Sequence, residues 1–164
     1  MSDTETQPSA ADNRAPQAAL QRVYIKDASL EVPNAPAVFQ QELQPQVDVR
    51  INNQSQRIND SLHEVTLSIT MTAKAGDTTV FLVEVDQAGV FQLTGLKDEA
   101  LARVLSTFCP TSLFPFLRQA VADLIGKGGF PPVLLAPVNF DALYQQHQKE
   151  LAKAEAESAS APKH

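Results

Sequence analysis

A long stretch of strict alternation between apolar and polar residues, 62–73, constrains the fold of this chain most. The residues on its apolar side are His63, Val65, Leu67, Ile69 and Met71. Because successive side chains of a strand point to opposite faces, the pattern predicts a strand with one buried face, as in an antiparallel sheet. Residues 74–77 then predict a turn and residues 78–87 a returning strand, so the two strands should form a hairpin.

The rest of the chain contains further strands and then changes period. Residues 22–32 and 46–53 also alternate and predict two more strands. Apolar residues at helical spacing then predict helices over 98–108, 111–127 and 140–153, with Asn139 as the cap of the last one. Strands followed by helices indicate the α+β class.

Length, composition and charge bound the kind of protein. With 164 residues, we expect one folded domain over 21–148, a disordered N-terminal tail over 1–20 and a flexible C-terminal tail over 149–164. The net charge of −6 disfavours nucleic acid and anionic membranes as partners. The first twenty residues contain no apolar run, no stretch reads as a membrane span, and Cys109 is the single cysteine, so we expect a cytoplasmic protein without membrane insertion.

Residues that could support catalysis or metal binding are sparse. His63 has no second histidine, cysteine or carboxylate at metal-ligand spacing, His147 lies on the polar side of the last predicted helix, and His164 is the final residue. Cys109 has no visible base. Glycine-rich phosphate-binding motifs are absent too. The sequence therefore predicts no catalytic residue, no metal and no cofactor. An enzymatic or small-ligand-binding domain that used His63 or Cys109 would need convergent polar groups that the sequence does not supply.

Two predicted strands carry acidic residues on one face. Asp27 and Glu31 are four residues apart, so they share a strand face at a separation of about 13 Å. Leu82, Glu84 and Asp86 likewise share a face of the returning strand. If these two strands are neighbours, one sheet face carries four carboxylates beside a leucine. That face is either an ordinary solvated surface or a docking patch for a basic partner.

Apolar residues also occur on two elements that need not be central to the core: a proline-bounded loop over 33–45 and the last helix. They are Val38, Phe39 and Leu43 in the loop and Phe140, Leu143 and Tyr144 in the helix. Such residues either close the core or leave an apolar groove open to an extended chain.

Long segments of the sequence resemble one known family. They are RVYIKDASLEVPNAP, TVFLVEVDQAGVF and FCPTSLFPFLRQAVADLIGKGGFPPVLLAPVNFDALY, and they are similar in order and spacing to the bacterial export chaperone SecB. The resemblance covers residues 21–146. One departure is Leu43, at a position before Gln44 and Pro45 where many members have Trp, which reduces the aromatic contact area there.

The resemblance implies a four-stranded antiparallel sheet with helices packed on one face, assembled as a homotetramer that is a dimer of dimers. It implies an ATP-independent chaperone that binds unfolded precursor proteins and delivers them to the SecA motor for export across the inner membrane. SecA would contribute a small basic zinc-binding tail, so the zinc belongs to SecA. The alternative is a general or toxin–antitoxin-associated holdase that does not interact with SecA. The acidic residues on the two predicted strands argue against this alternative.

The resemblance also assigns roles to individual positions. The SecA-binding positions are Asp27, Glu31, Leu82 and Glu84. The positions expected to border the groove for unfolded peptide are Val38, Phe39, Leu43, Phe140, Leu143 and Tyr144. The positions expected to matter for subunit assembly are Phe81, Val83, Val85, Leu113, Leu117 and Val121.

Overall fold

One four-stranded antiparallel sheet organises residues 15–160, the part of the chain that the computed structural model describes. In chain order its strands are β1 (Gln17–Glu31), β2 (Gln46–Arg57), β3 (Leu62–Ala75) and β4 (Thr78–Thr94). Their spatial order is β1-β4-β3-β2. The helices α1 (Asp98–Ser106), α2 (Phe108–Lys127) and α3 (Phe140–Ala159) follow. The α+β class and the four-stranded antiparallel sheet are thus confirmed.

The hairpin of β3 and β4 is the centre of the sheet, and it forms as the alternation predicts. Gly76 and Asp77 connect the strands, and Gly76 has φ +60°, a left-handed conformation that glycine adopts without steric cost. Along β3 every second side chain is buried: His63, Val65, Leu67, Ile69, Met71 and Ala73. The intervening residues are half-buried or exposed, so the sheet has one dry face.

Helix α2 covers that dry face, with its main contacts to β4, β3 and β1. It approaches the sheet closely at Gly89 of β4, where an added Cβ would lie 2.8 Å from Leu113 Cδ2. Asp98–Lys127 as a whole meets a length and composition criterion for a membrane-spanning helix, contrary to the expectation from sequence. This is weak evidence, because a helix in a protein core meets the same criterion, and α2 buries eight of its residues.

The opposite face of the sheet, called the open face below, carries polar and charged side chains and is not covered by a helix within residues 15–160. A connection over residues 32–45, with a short 3-10 helix at Ala37–Gln40, leads from β1 at one edge of the sheet to β2 at the other edge. It is the crossover that the prolines predict.

Two element bounds differ from the sequence-based expectation. Strand β1 begins at Gln17 because Ala18 and Leu20 pack against the core, so residues 17–20 are not a tail. Helix α3 continues to Ala159 because residues 149–159 are mostly Ala, Glu and Lys, which favour helix even where they are fully exposed. The remaining parts of the two predicted tails, 1–14 and 161–164, lie outside the described residues.

Candidate functional site

Strands β1 and β4 are direct neighbours, which is the arrangement that the acidic-face hypothesis requires. In their register Asp27 lies opposite Asp86, and Glu31 lies opposite Leu82. Glu84 lies opposite Ser29, between the two pairs. The four carboxylates and Leu82 therefore lie together on the open face. We call these five residues the acidic face.

A β-bulge in β1 sets the orientation of Asp27, and sequence reasoning missed it. The register shifts by one residue between Ile25 and Asp27, so that Lys26 is the extra residue. Strict alternation would place Ile25 and Asp27 on the same face of the strand. Instead Ile25 pairs with Gln87 of the buried face and Asp27 with Asp86 of the open face. The consecutive polar residues Lys26 and Asp27 were the signal that could have revealed the bulge, and Gln21 and Arg22 give the same signal at a second register shift of β1, between Leu20 and Arg22.

Beside the bulge, three side chains form a polar group that we call the Glu64 cluster: Tyr24, Lys26 and Glu64. Lys26 Nζ donates to Glu64 Oε1 at 2.6 Å, and the Tyr24 hydroxyl donates to Glu64 Oε2. The hydrogen bond from Lys26, followed by that from Tyr24, lowers the pKa of Glu64. Burial and the bond to Glu64 raise the pKa of Tyr24 to about 12. Sequence spacing could not reveal this cluster, because β4 separates β1 from β3.

The open face is divided by charge. From Glu84, the register leads through Thr70 of β3 to Arg50 of β2. Arg50 is highly exposed and forms an ion pair with Asp48, with Nε and Oδ2 3.3 Å apart. The β1–β4 half holds the four carboxylates of the acidic face, with the cations Lys26 and Arg22 farther along β1, whereas the β2 half holds one carboxylate paired with one cation.

A first apolar cleft of about 430 Å³ lies between the crossover and the end of the sheet. Its lining residues include Val38, Phe39, Leu43, Val47, Val80, Phe81, Phe130, Pro131 and Val133. The ring of Phe130 lies 5.2 Å from that of Phe39 and 5.2 Å from that of Phe81, measured between centroids. Val38 is buried, Leu43 is half-buried and Phe39 is 51% exposed, so the crossover brings its three predicted residues to one place.

A second apolar cleft of about 470 Å³ lies between α2 and α3. Its lining residues are Thr111, Phe114, Pro115, Arg118, Gln119, Leu134, Pro137, Val138 and Phe140. Of the three residues predicted on α3, only Phe140 lines this cleft, where its ring meets that of Phe114 edge-on. Leu143 is exposed and Tyr144 is half-buried outside the lining. The six predicted groove residues therefore do not form one continuous patch.

The extended segment 130–138 joins the two clefts. Phe130, Pro131 and Val133 line the first cleft, while Leu134, Pro137 and Val138 line the second. Three prolines keep this segment out of the sheet, because proline cannot donate to a strand ladder. Leu134 is 67% exposed, so the segment presents apolar surface between the clefts.

The residues predicted for subunit assembly are buried within this chain's own core. They are Phe81, Val83, Val85, Leu113, Leu117 and Val121, and none is more than 3% exposed. As buried side chains they offer no surface to another subunit, so they stay a prediction for assembly only through the packing of the core. Phe108 and Phe116 are the large apolar side chains that α2 exposes, and sequence reasoning did not propose them for an interface.

The two candidate reactive groups are inaccessible. Cys109 is fully buried, and burial raises the pKa of its thiol to about 12. His63 is buried, and burial lowers its pKa. Within residues 15–160, no three His, Cys, Asp or Glu side chains are grouped as metal ligands would be. A reactive role for His63 or Cys109 therefore has no support in the geometry.

An acidic sheet face and two apolar clefts, on a fold whose candidate nucleophiles are buried, are the features of a binding protein. The model of the family described as preprotein translocase subunit SecB matches residues 11–151. This chain belongs to the SecB family of protein-export chaperones.

Relatives and a solved structure agree with this assignment. The chain is 51% identical to the protein-export protein SecB of Nitrosococcus oceani over 154 residues, covering 93% of this chain and 94% of the relative. It is 46% identical to that of Methylococcus capsulatus over 144 residues, covering 88% and 92%. A SecB-like chaperone of Mycobacterium tuberculosis, solved in complex with a peptide from an antitoxin, matches with a TM-score of 0.60 and 21% identity over 74% of this chain and 91% of that one. At that identity the match shows the fold alone.

Proposed function

We propose that this chain holds unfolded precursor polypeptides in its apolar clefts without ATP and delivers them to SecA through the acidic face. The observation that carries the proposal is the separation of the two surfaces. The clefts lie on the helix-covered side of the sheet and at its end, and the carboxylates lie on the open face. A polypeptide in the clefts therefore leaves the acidic face free for a second partner.

The clefts suit an unfolded chain. Folded proteins bury their apolar side chains, whereas unfolded chains expose them, so exposed apolar clefts select the unfolded state with little regard to sequence. Phe39 and Leu134 are about half and two thirds exposed, and the segment 130–138 contributes lining residues to both clefts. Weak contacts at several clefts gain strength through effective concentration, which can raise affinity by about 10²–10⁴.

The acidic face suits a basic partner. Carboxylates held together on a rigid sheet produce a field that attracts cations and that weakens with salt. The basic zinc-binding tail of SecA that the family resemblance implies has this character. Asp27, Glu31 and Glu84 would supply the charge and Leu82 an apolar contact, while the zinc stays with SecA.

The proposal includes a cytoplasmic homotetramer arranged as a dimer of dimers. Phe108 and Phe116 are exposed on α2, on a helix whose other side is buried against the sheet, and they support an interface on that surface. Light scattering of Phe116→Ser should then show smaller assemblies than the unsubstituted protein, with circular dichroism unchanged. A tetramer that persists would count against this surface.

Charge reversal on the open face tests the SecA step. We expect Glu31→Lys and Glu84→Lys to weaken SecA binding by at least about tenfold, because each places a cation against a basic partner. Glu155→Lys on the exposed part of α3 is the control, since it changes the net charge equally away from the acidic face. Calorimetry with SecA measures the effect, and unchanged affinity at moderate salt would refute the assignment of this face.

A complementary variant tests the cleft. Phe39→Ser removes an exposed ring from the first cleft and should weaken binding of a denatured precursor while SecA affinity stays unchanged. The charge reversals should show the converse pattern. If each variant impaired both activities, the two surfaces would not be separate. Precursor binding by unsubstituted protein that never binds SecA would favour the alternative, a holdase not coupled to export.

A further inference from the structure

The bulge in β1 determines which of the side chains that follow it point to the open face. Bulges interrupt the ladder and leave the extra residue unpaired. In this chain the extra residue is Lys26, and Asp27 of the acidic face follows it directly. If the bulge moved along β1 to a position after Asp27, that residue would pair with Val85 and turn toward the buried face, because a shift of one residue exchanges the two faces of a strand.

The Glu64 cluster is placed so as to hold the bulge. Lys26 and Tyr24 flank Ile25, the last residue before the register shift, and both donate to the same carboxylate of β3. Between them and Glu64 lies β4, which has Ala88 opposite Tyr24 and Val90 opposite Glu64. The side chains of Tyr24 and Lys26 therefore reach across one whole strand to their acceptor. Hydrogen bonds from Tyr24 and Lys26 to Glu64 therefore connect the bulge to β3, two strands away.

We infer that Tyr24, Lys26 and Glu64 are positioning residues for the acidic face: by tying the bulge to β3 they keep Asp27 directed to the open face. The inference rests on the proposed function, since it concerns the surface proposed to bind SecA. None of the three residues has to contact SecA. Their contribution is to order a segment that would otherwise have more than one register.

A purely electrostatic role for Lys26 predicts the opposite result. Lys26 is a cation beside a face that should attract a basic partner, so its charge alone opposes binding. Removing it would then strengthen SecA binding. If Lys26 is a positioning residue, removing it weakens SecA binding even though the face becomes more negative. The sign of the change therefore distinguishes the two explanations.

The experiment compares Lys26→Met and Tyr24→Phe with a control, Lys74→Met. Lys74 is an exposed cation that, with Asp48 and Arg50, lines a shallow pocket at the β2 side of the sheet, away from the Glu64 cluster. Tyr24→Phe changes no charge, removes only one hydroxyl and keeps the ring, so it serves even if another variant folds poorly. SecA affinity is measured by calorimetry, precursor affinity with a denatured precursor, and amide hydrogen exchange of residues 24–27 in the free protein.

We expect Lys26→Met and Tyr24→Phe to weaken SecA binding by about two- to fivefold, the range for ordering by a partly exposed ion pair. Amide exchange at 24–27 should become faster, and precursor affinity should stay unchanged. Lys74→Met should leave exchange at 24–27 unchanged and should not weaken SecA binding. Equal or tighter SecA binding by Lys26→Met, or unchanged exchange in both variants, would overturn the inference. If the unsubstituted protein did not bind SecA, the proposed function would fail instead, and the exchange measurement alone would decide whether the cluster holds the bulge.

Discussion

Asp27 and Asp86 lie directly opposite each other on neighbouring strands. Removing one of the two charges should therefore raise the stability of the free protein and lower its affinity for SecA. Directly opposed residues of an antiparallel pair have their Cβ atoms about 5 Å apart. Two unit charges at about 5 Å repel by about 0.8 kcal/mol in water, and screening at physiological salt reduces this to about 0.4 kcal/mol. Asp86→Asn keeps the shape and removes the repulsion. We therefore expect the free protein to become more stable by about 0.4 kcal/mol while its affinity for SecA falls.

Urea unfolding measures the first effect and calorimetry with SecA the second. The gain in stability should be largest at low salt and should vanish at about 1 M NaCl, where the Debye length is about 3 Å. Glu42→Gln, at an exposed carboxylate of the crossover, is the control for the loss of one negative charge. An Asp86→Asn protein that is less stable at low salt, or whose gain persists at high salt, would refute the reasoning. Such a result would mean that the two carboxylates do not oppose each other as the register requires.

Two further predictions concern the core. Gly89→Ala should lower the free energy of unfolding by about 1–3 kcal/mol, because the new Cβ would lie 2.8 Å from the buried Leu113 side chain and 3.1 Å from the Arg22 carbonyl oxygen, so that these groups have to move. Gly126→Ala is the control, since its nearest neighbour would be 3.9 Å away and a helical alanine is favourable; equal urea midpoints for the two variants would contradict the close approach of α2. His63 has a lowered pKa in the folded chain, so the unfolded chain binds a proton more readily and stability should fall as pH drops below about 6.5. His63→Gln should make that fall shallower in urea titrations, and an identical pH dependence in both proteins would show that the histidine is not the cause.

The strands could be predicted where burial on one face imposes alternation. Along β3, each residue from His63 to Ala73 occupies the side that its position in the pattern predicts. In β1 the same rule fails at two register shifts, one between Leu20 and Arg22 and one between Ile25 and Asp27. At the second shift the extra residue, Lys26, bonds to a carboxylate contributed by another strand. Alternation is a local property, whereas the Glu64 cluster forms only after β4 and β3 are in place.

The sequence predicts that a side chain is buried more reliably than it predicts which element or subunit the side chain packs against. An apolar residue such as Val83 or Leu117 reads the same whether it faces its own subunit or another one, and the structure places both in the chain's own core. The acidic face had the same limit, because the sequence shows which residues share a strand face but not which strands are adjacent. The register of Asp27 with Asp86 supplies that missing information.

The strand order also determines when the acidic face can form. Strands β2, β3 and β4 follow one another as hairpins, whereas β1 pairs only with β4, so that Gln17 lies opposite Thr94. Local contacts form early in folding, and contacts between distant residues wait for the closure of a long loop. The strand that is synthesised first is therefore the last to join the sheet. A chain that is still emerging from the ribosome and lacks β4, or that is truncated before β4, contains Asp27 and Glu31 but not Glu84 and Asp86, so it cannot present the acidic face.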